Sequence, residues 1–291
     1  MKRTAPSLLT VAMILCGAAA RAEPSVVASI KPVHSLVSAV MQGVGQPTLI
    51  VDGAGSPHTY ALKPSQAAAL SRADVVFWIG QELEAFLEKP VHAISHRAMS
   101  VELMDSPGLV KLTPREGGAF EAHDHDGDHA KDHDHDKDHD KDRHDAVDPH
   151  VWLDPVNAKA AVAAISDALA KADPGNAQVY AANAAAAVAG LGALADEIAA
   201  TLAPVEGRRF MVFHDAYQYF EARFGMPATG ALTVSPDVMP GASRLMEIRE
   251  RLKKLEAACV FAEPQFPPKL IAVAIEGSAP PSTPDPTSTA R

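Results

Sequence analysis

Three histidines stand where a loop meets an ordered element: His58 in GSPHTYALKPS, His150 in DPHVWLDP and His214 in VFHDAY. Imidazole is a borderline ligand that suits Zn2+, and three imidazoles leave a fourth tetrahedral position for water or a carboxylate. A single histidine is more often a packed or surface residue, so the reading rests on the three together. His58 follows the β-rich run PTLIV and His214 ends the run FMVF; the carboxyl edge of an open α/β sheet is where ligands bind. His150 lies between two Asp-Pro units that restrict its backbone. A ligating imidazole usually gives its second N–H to a carboxylate or carbonyl. Asp148 and Asp215, close in sequence to two of the three, are candidates for that orienting role, with helix capping and surface charge as the alternative.

A second group of histidines is of another kind. Residues 123 to 145 read HDHDGDHAKDHDHDKDHDKDRHD and hold seven of the 13 histidines: His123, His125, His129, His133, His135, His139 and His144. The irregular HDH spacing offers many two- or three-ligand combinations and no single preorganised geometry. So polar a segment cannot bury enough apolar surface to order itself. It has to be ordered at the moment of binding, so each combination holds metal weakly beside a fixed three-histidine site. The insert therefore reads as an accessory, low-affinity segment for capture or sensing, against the plainer alternative of a solvated acidic spacer. His34 opens a helix and reads as a packing or capping residue. His92 and His96 lie four apart, but no Glu follows His92 as in a metalloprotease helix. Trp78, Trp152, Tyr217 and Phe220 read as core or cleft wall.

The elements that must position these residues alternate. SVVASI, PTLIV and DVVFWI are short apolar runs separated by helical stretches through HSLVSAVM and from Pro64 to Arg72; that rhythm predicts a buried, mostly parallel sheet with helices on its faces. An Ala-rich helix is expected from Pro155 to Ala172, and a second, proline-free one from Asn176 to Ala203, roughly 40 Å long at 1.5 Å per residue. The rhythm resumes with RFMVF, a helix through AYQYFEARF, ATGALTV, a helix from Ala242 to Ala257, ACVFAEP and a helix start near Lys269. The fold class is α/β: two lobes with mostly parallel sheets joined by one long rigid helix, with the metal site in the interlobe cleft. The expected organisation is a signal peptide at 1–22 and an N-terminal lobe at 23–173, with a disordered His/Asp-rich loop at 115–147. A connecting helix at 174–205, a C-terminal lobe at 206–277 and a disordered tail at 278–291 follow.

Lys2 and Arg3 lead into the apolar stretch Leu8 to Ala20, and Ala20-Arg21-Ala22 is the small-x-small pattern after which a signal peptidase cuts. Cleavage after Ala22 starts the mature chain at Glu23, in an exported compartment. Beyond that stretch no run of about 20 consecutive apolar residues follows. Leu15 before Cys16 argues against a lipid anchor, which leaves Cys259 as the only cysteine of the mature chain. The net charge is -10, yet residues 121–148 carry twelve acids against four bases, or -8, so the remainder stands at -2. Nothing basic argues for nucleic acid.

GSPHTYALKPSQ, the His/Asp insert, DPHVWLDP and FHDAYQYF, in that order between Val26 and Ile275, resemble the ZnuA-type zinc-binding component of ATP-driven zinc importers. The resemblance implies a two-lobed periplasmic binding protein, not an enzyme, that works as a monomer. It would hold one Zn2+ by the residues matching His58, His150 and His214 and deliver it to an inner-membrane ABC permease. In manganese-binding relatives the place of His214 is typically a glutamate, and nitrogen there favours zinc. Thr59 stands where many zinc relatives carry a carboxylate, so the fourth ligand stays open between water and a carboxylate from elsewhere. Relatives also continue past Ile275 with a strand bearing an Asp and a helix whose cysteine would pair with Cys259; here a Pro/Ser/Thr tail follows, so an incomplete second lobe is expected. Two other functions share the histidines. One is a zinc hydrolase, for which Glu263 is the only candidate general base, and the other is a periplasmic zinc buffer without a permease.

Overall fold

Short runs whose every residue is buried form the centre of the first sheet. In the computed structural model, which describes residues 23–94, 97–115, 146–232, 246, 249–250, 252, 259–266 and 272, β1 (Val26–Ala28) and β3 (Val75–Trp78) are buried along their whole length. They pair in parallel, with β2 (Thr48–Leu49) and β4 (Met99–Glu102) on the outer edges, in the order β2-β1-β3-β4. The expectations for the signal peptide, the seven insert histidines, His96 and the tail lie outside the described residues. So do most of the helix expected between Ala242 and Ala257 and the helix start near Lys269.

The helices follow from local chemistry. α1 (Lys31–Val40) carries a proline in its first turn and buries Val33, Val37 and Val40, one face at helical spacing. α2 (Pro64–Leu70) starts on a capping arrangement in which Gln66 Oε1 accepts from the Lys63 amide at 2.8 Å. α3 (Ala85–Ile94) and β4 are additions to the elements expected from sequence. α4 (Pro155–Ala172) begins at Asp154, whose carboxylate accepts from the Val156 amide at 2.8 Å, and buries Ala161, Val162, Ile165 and Leu169 in the first core.

α5 (Ala177–Leu202) is the long connecting helix. Within it, Tyr180 and Ala184 are buried and Ala187, Val188 and Leu191 pack on the first core, while Leu202 reaches the second. By length and composition alone, the stretch Pro174–Val205 would suffice to cross a membrane. That apolarity comes from alanines, with Asp196 and Glu197 near its end.

A second parallel sheet pairs β5 (Phe210–Val212) with β6 (Cys259–Phe261). ATGALTV contributes a single bridge, Val212 to Ala231, rather than a full strand among the described residues. α6 (Gln218–Phe224) follows β5 and closes on Gly225, whose φ of 65° is the left-handed value that a helix end favours for glycine. Although α6 comes from the second half of the chain, its Tyr219 is buried in the core of the first.

Candidate metal centre

The loop between β2 and α2 carries His58, and a set of polar contacts ties both its ends. Lys31 Nζ donates to the Gly53 carbonyl at 2.5 Å, the Tyr60 hydroxyl to Asp52 Oδ1 at 3.1 Å, and Lys63 Nζ to the same oxygen at 2.8 Å. The bond from Lys63, then that from Tyr60, holds the Asp52 carboxyl below the usual carboxylate range. Gln66 Nε2 reaches the Ile50 carbonyl at 2.5 Å and the Tyr60 oxygen at 2.8 Å, so the loop root is fixed to the carboxyl end of β2. His58 itself is half-buried.

His150 and His214 are buried. Asp148 Oδ1 lies 2.7 Å from His150 Nδ1 and 3.0 Å from the His150 amide, a local turn that clamps backbone and ring together. Glu263 Oε1 lies 2.5 Å from His214 Nδ1, and its other oxygen accepts from Gln265 Nε2. A carboxylate only accepts, so each Nδ1 carries the hydrogen, which leaves Nε2 as the nitrogen each ring can offer to a metal. His214 Nε2 is fully buried and has no hydrogen-bond partner among the described residues. An orphaned buried acceptor of this kind is costly unless something electropositive meets it.

The ring nitrogens converge. One ligand atom from each of His58, His150 and His214 lies within 4.8 Å of the other two, and His58 Nε2 and His150 Nε2 are 3.3 Å apart. Two nitrogens on one tetrahedral Zn2+, each about 2.05 Å from it, are about 3.3 Å apart. The ring centroids stand 5.4 to 5.9 Å from one another. Trp152 lies beside His150, and Phe266, stacked on Phe213, lies edge-on to His214. Tyr217 stays a neutral phenol near Glu263: burial, then the Glu263 charge, pushes it up to about 12.

Asp148 stands where sequence proximity to His150 puts it, but Asp215 does not turn to His214. Asp215 pairs instead with Arg115, while Glu263, 49 residues further along, takes the His214 contact. The reason is geometric. The backbone folds back after His214, with the Ala216 amide donating to the His214 carbonyl at 2.9 Å, and the neighbouring side chain faces Arg115. Glu263, the residue weighed as a general base, is buried and bonded to the His214 ring and to Gln265. His34 bonds the Pro47 carbonyl at 3.1 Å, and His92 is exposed; neither joins the trio. Cys259 is a free thiol here, half-buried in the second sheet.

Comparison with known proteins places these features in context. The profile of a family described as zinc-uptake complex component A, periplasmic, ZnuA, matches residues 26–290. The high-affinity zinc uptake system protein ZnuA of Brucella abortus is 52% identical over 279 residues, covering 90% of this chain and 84% of its own. Its counterpart in Paracoccus denitrificans is 42% identical over 287 residues, covering 94% and 87%. A crystal structure of ZnuA superposes with a TM-score of 0.69 at 26% identity, covering 86% of each chain. A ZnuA deletion mutant with zinc bound superposes with a TM-score of 0.66 at 27% identity, covering 86% of this chain and 85% of its own.

Proposed function

The chain belongs to the ZnuA family of periplasmic zinc-uptake components, and from that membership we propose the following mechanism. The protein captures Zn2+ as cargo in the periplasm with His58, His150 and His214, and passes it to the permease of an ABC-type zinc importer. One observation carries the ligand assignment: three ring nitrogens from three separate segments meet within 4.8 Å, and two of the rings are turned by buried carboxylates. The protein supplies three imidazoles in a cleft lined by Trp152 and Phe266. The fourth position is left to water or to a carboxylate from elsewhere in the chain, since Thr59 and not a carboxylate follows His58.

The protein is a carrier and not an enzyme on this reading. Glu263 orients His214 and is not available as a base, and membership in an uptake complex argues against a free-standing buffer. The His/Asp-rich insert is an accessory segment of low affinity, whether for capture or for sensing. The exported chain begins at Glu23, after cleavage behind Ala22, and acts as a monomer. Its units run 23–173, 174–205 and 206–277, with no nucleic-acid partner and no insertion into the membrane.

Native mass spectrometry of the protein exported to the periplasm tests this reading. The expected result is one chain starting at Glu23 that retains one zinc through mild chelation. His58→Ala, His150→Ala and His214→Ala each lose that zinc. Retention of the tight zinc by all three variants would move the site elsewhere.

A further inference from the structure

Arg115, in the segment after β4, reaches across to two carboxylates of the second half of the chain. Its Nε donates to Asp215 Oδ2 at 3.0 Å and its Nη2 to Asp215 Oδ1. Its Nη1 donates to Glu221 Oε2 at 2.6 Å and its Nη2 to Glu221 Oε1 at 3.1 Å. Two edges of one planar guanidinium are each filled by a carboxylate, a geometry that a lysine ammonium does not reproduce. Desolvation works against the charge, but the bonds to Glu221 and then Asp215 overcome it and raise the Arg115 pKa above the ordinary arginine value. Glu221 is itself buried and takes a further bond from the Ala228 amide at 2.9 Å.

The two carboxylates bracket a short stretch. Asp215 is joined to His214 by one peptide bond, and Glu221 sits in the first turn of α6. A single first-lobe side chain thus holds both ends of the segment that leaves His214. Between them, the Tyr219 hydroxyl donates to the Asp148 carbonyl at 2.8 Å and accepts from the Leu112 amide at 3.0 Å. Asp148 is the residue that orients His150. His150 and His214 therefore share one platform, whereas the bonds that fix the His58 loop run back to Lys31, Ile50 and α2.

We infer that Arg115 is a positioning residue of the zinc site, fixing where His214 Nε2 stands relative to His150 by gripping Asp215 and Glu221 in one fork. The inference rests on the zinc-binding reading of the three histidines. Ligand atoms have to be held to roughly half an ångström for a first coordination shell to form at full strength. Without the guanidinium, two like charges face each other and move apart, and the peptide joined to Asp215 moves with them.

The test compares two arginines that both fasten α6 to the first lobe. Arg223 grips Asp154 through Nε at 2.7 Å and Nη2 at 2.6 Å and touches neither His214 nor its neighbours in those bonds. Zinc affinity is read by chelator competition, and the visible absorption of the 1:1 Co2+ complex reports the coordination geometry. Arg115→Gln is expected to weaken zinc by about tenfold to a hundredfold and to shift the Co2+ bands. Arg223→Gln is expected to leave affinity and bands unchanged. If the first variant does not fold, Arg115→Lys, which leaves one ammonium for two carboxylates, is read the same way and is expected to shift the bands less. The inference is overturned if the Arg115 variant matches the wild type, or if both arginine variants alter the spectrum alike, which would mean general lobe docking. Failure of the wild type to take up a single metal ion would instead overturn the reading beneath it.

Discussion

At the scale of the residue, the three histidines are not equivalent. His150 and His214 are buried and each turns its Nδ1 to a carboxylate, whereas His58 is half-buried on a loop. Asp148 was legible in the sequence because its contact with His150 is made two residues away by a local turn. Glu263 was visible as a residue but not in its role, since its contact with His214 spans 49 residues and depends on β6 lying beside β5. Asp215, the nearer carboxylate, is engaged by Arg115. Glu263→Ala leaves His214 free to turn and its Nδ1 without a partner, so zinc affinity should fall by about tenfold to a hundredfold. Chelator competition checks this, and an affinity equal to wild type would mean that the neighbouring packing alone sets the ring.

At the scale of the element, signals at helix ends were readable and interior conflicts were not. The bounds expected for α4, Pro155 to Ala172, are the observed ones, because a proline opens its first turn and Pro174 and Gly175 follow its end. α3 escaped because Pro90 lies inside it, yet Leu87 and Val91 are buried and the burial of that face outweighs the broken bond. β4 escaped because MSVE is a short edge strand with exposed residues. The junction between β3 and α3 holds a further consequence. Glu84 is buried, its Oε2 accepts from the Ile79 and Gly80 amides at 2.8 and 3.1 Å, and burial pushes its pKa up to about 7. The folded protein thus holds this proton more tightly than the unfolded chain does. The stabilisation is fully present below the unfolded carboxyl value and is lost as pH rises through about 7. Glu84→Gln should therefore gain stability relative to wild type on going from pH 5 to pH 8, by about 2 to 3 kcal/mol. Urea unfolding at the two pH values checks this, and an equal effect at both would show that Glu84 does not change its ionisation.

At the scale of the whole molecule, α5 runs about 39 Å between two parallel sheets. α6 then returns to the first core through Tyr219, Arg115 and Arg223. The alternation of strands and helices, the connecting helix and the three histidine-bearing loops were readable because periodicity and motif are local. The return of α6 was not, since nothing in AYQYFEARF says which lobe its tyrosine fills. On the proposed reading the tight site is the cleft and the insert is an addition to it. The most direct measurement is X-ray absorption of zinc bound at one equivalent to the chain lacking Asp124 to Arg143. The account predicts one tight zinc with three imidazole nitrogens at about 2.0 to 2.1 Å and one oxygen ligand. Loss of tight binding with the segment, or a shell with fewer than three imidazoles, would contradict it.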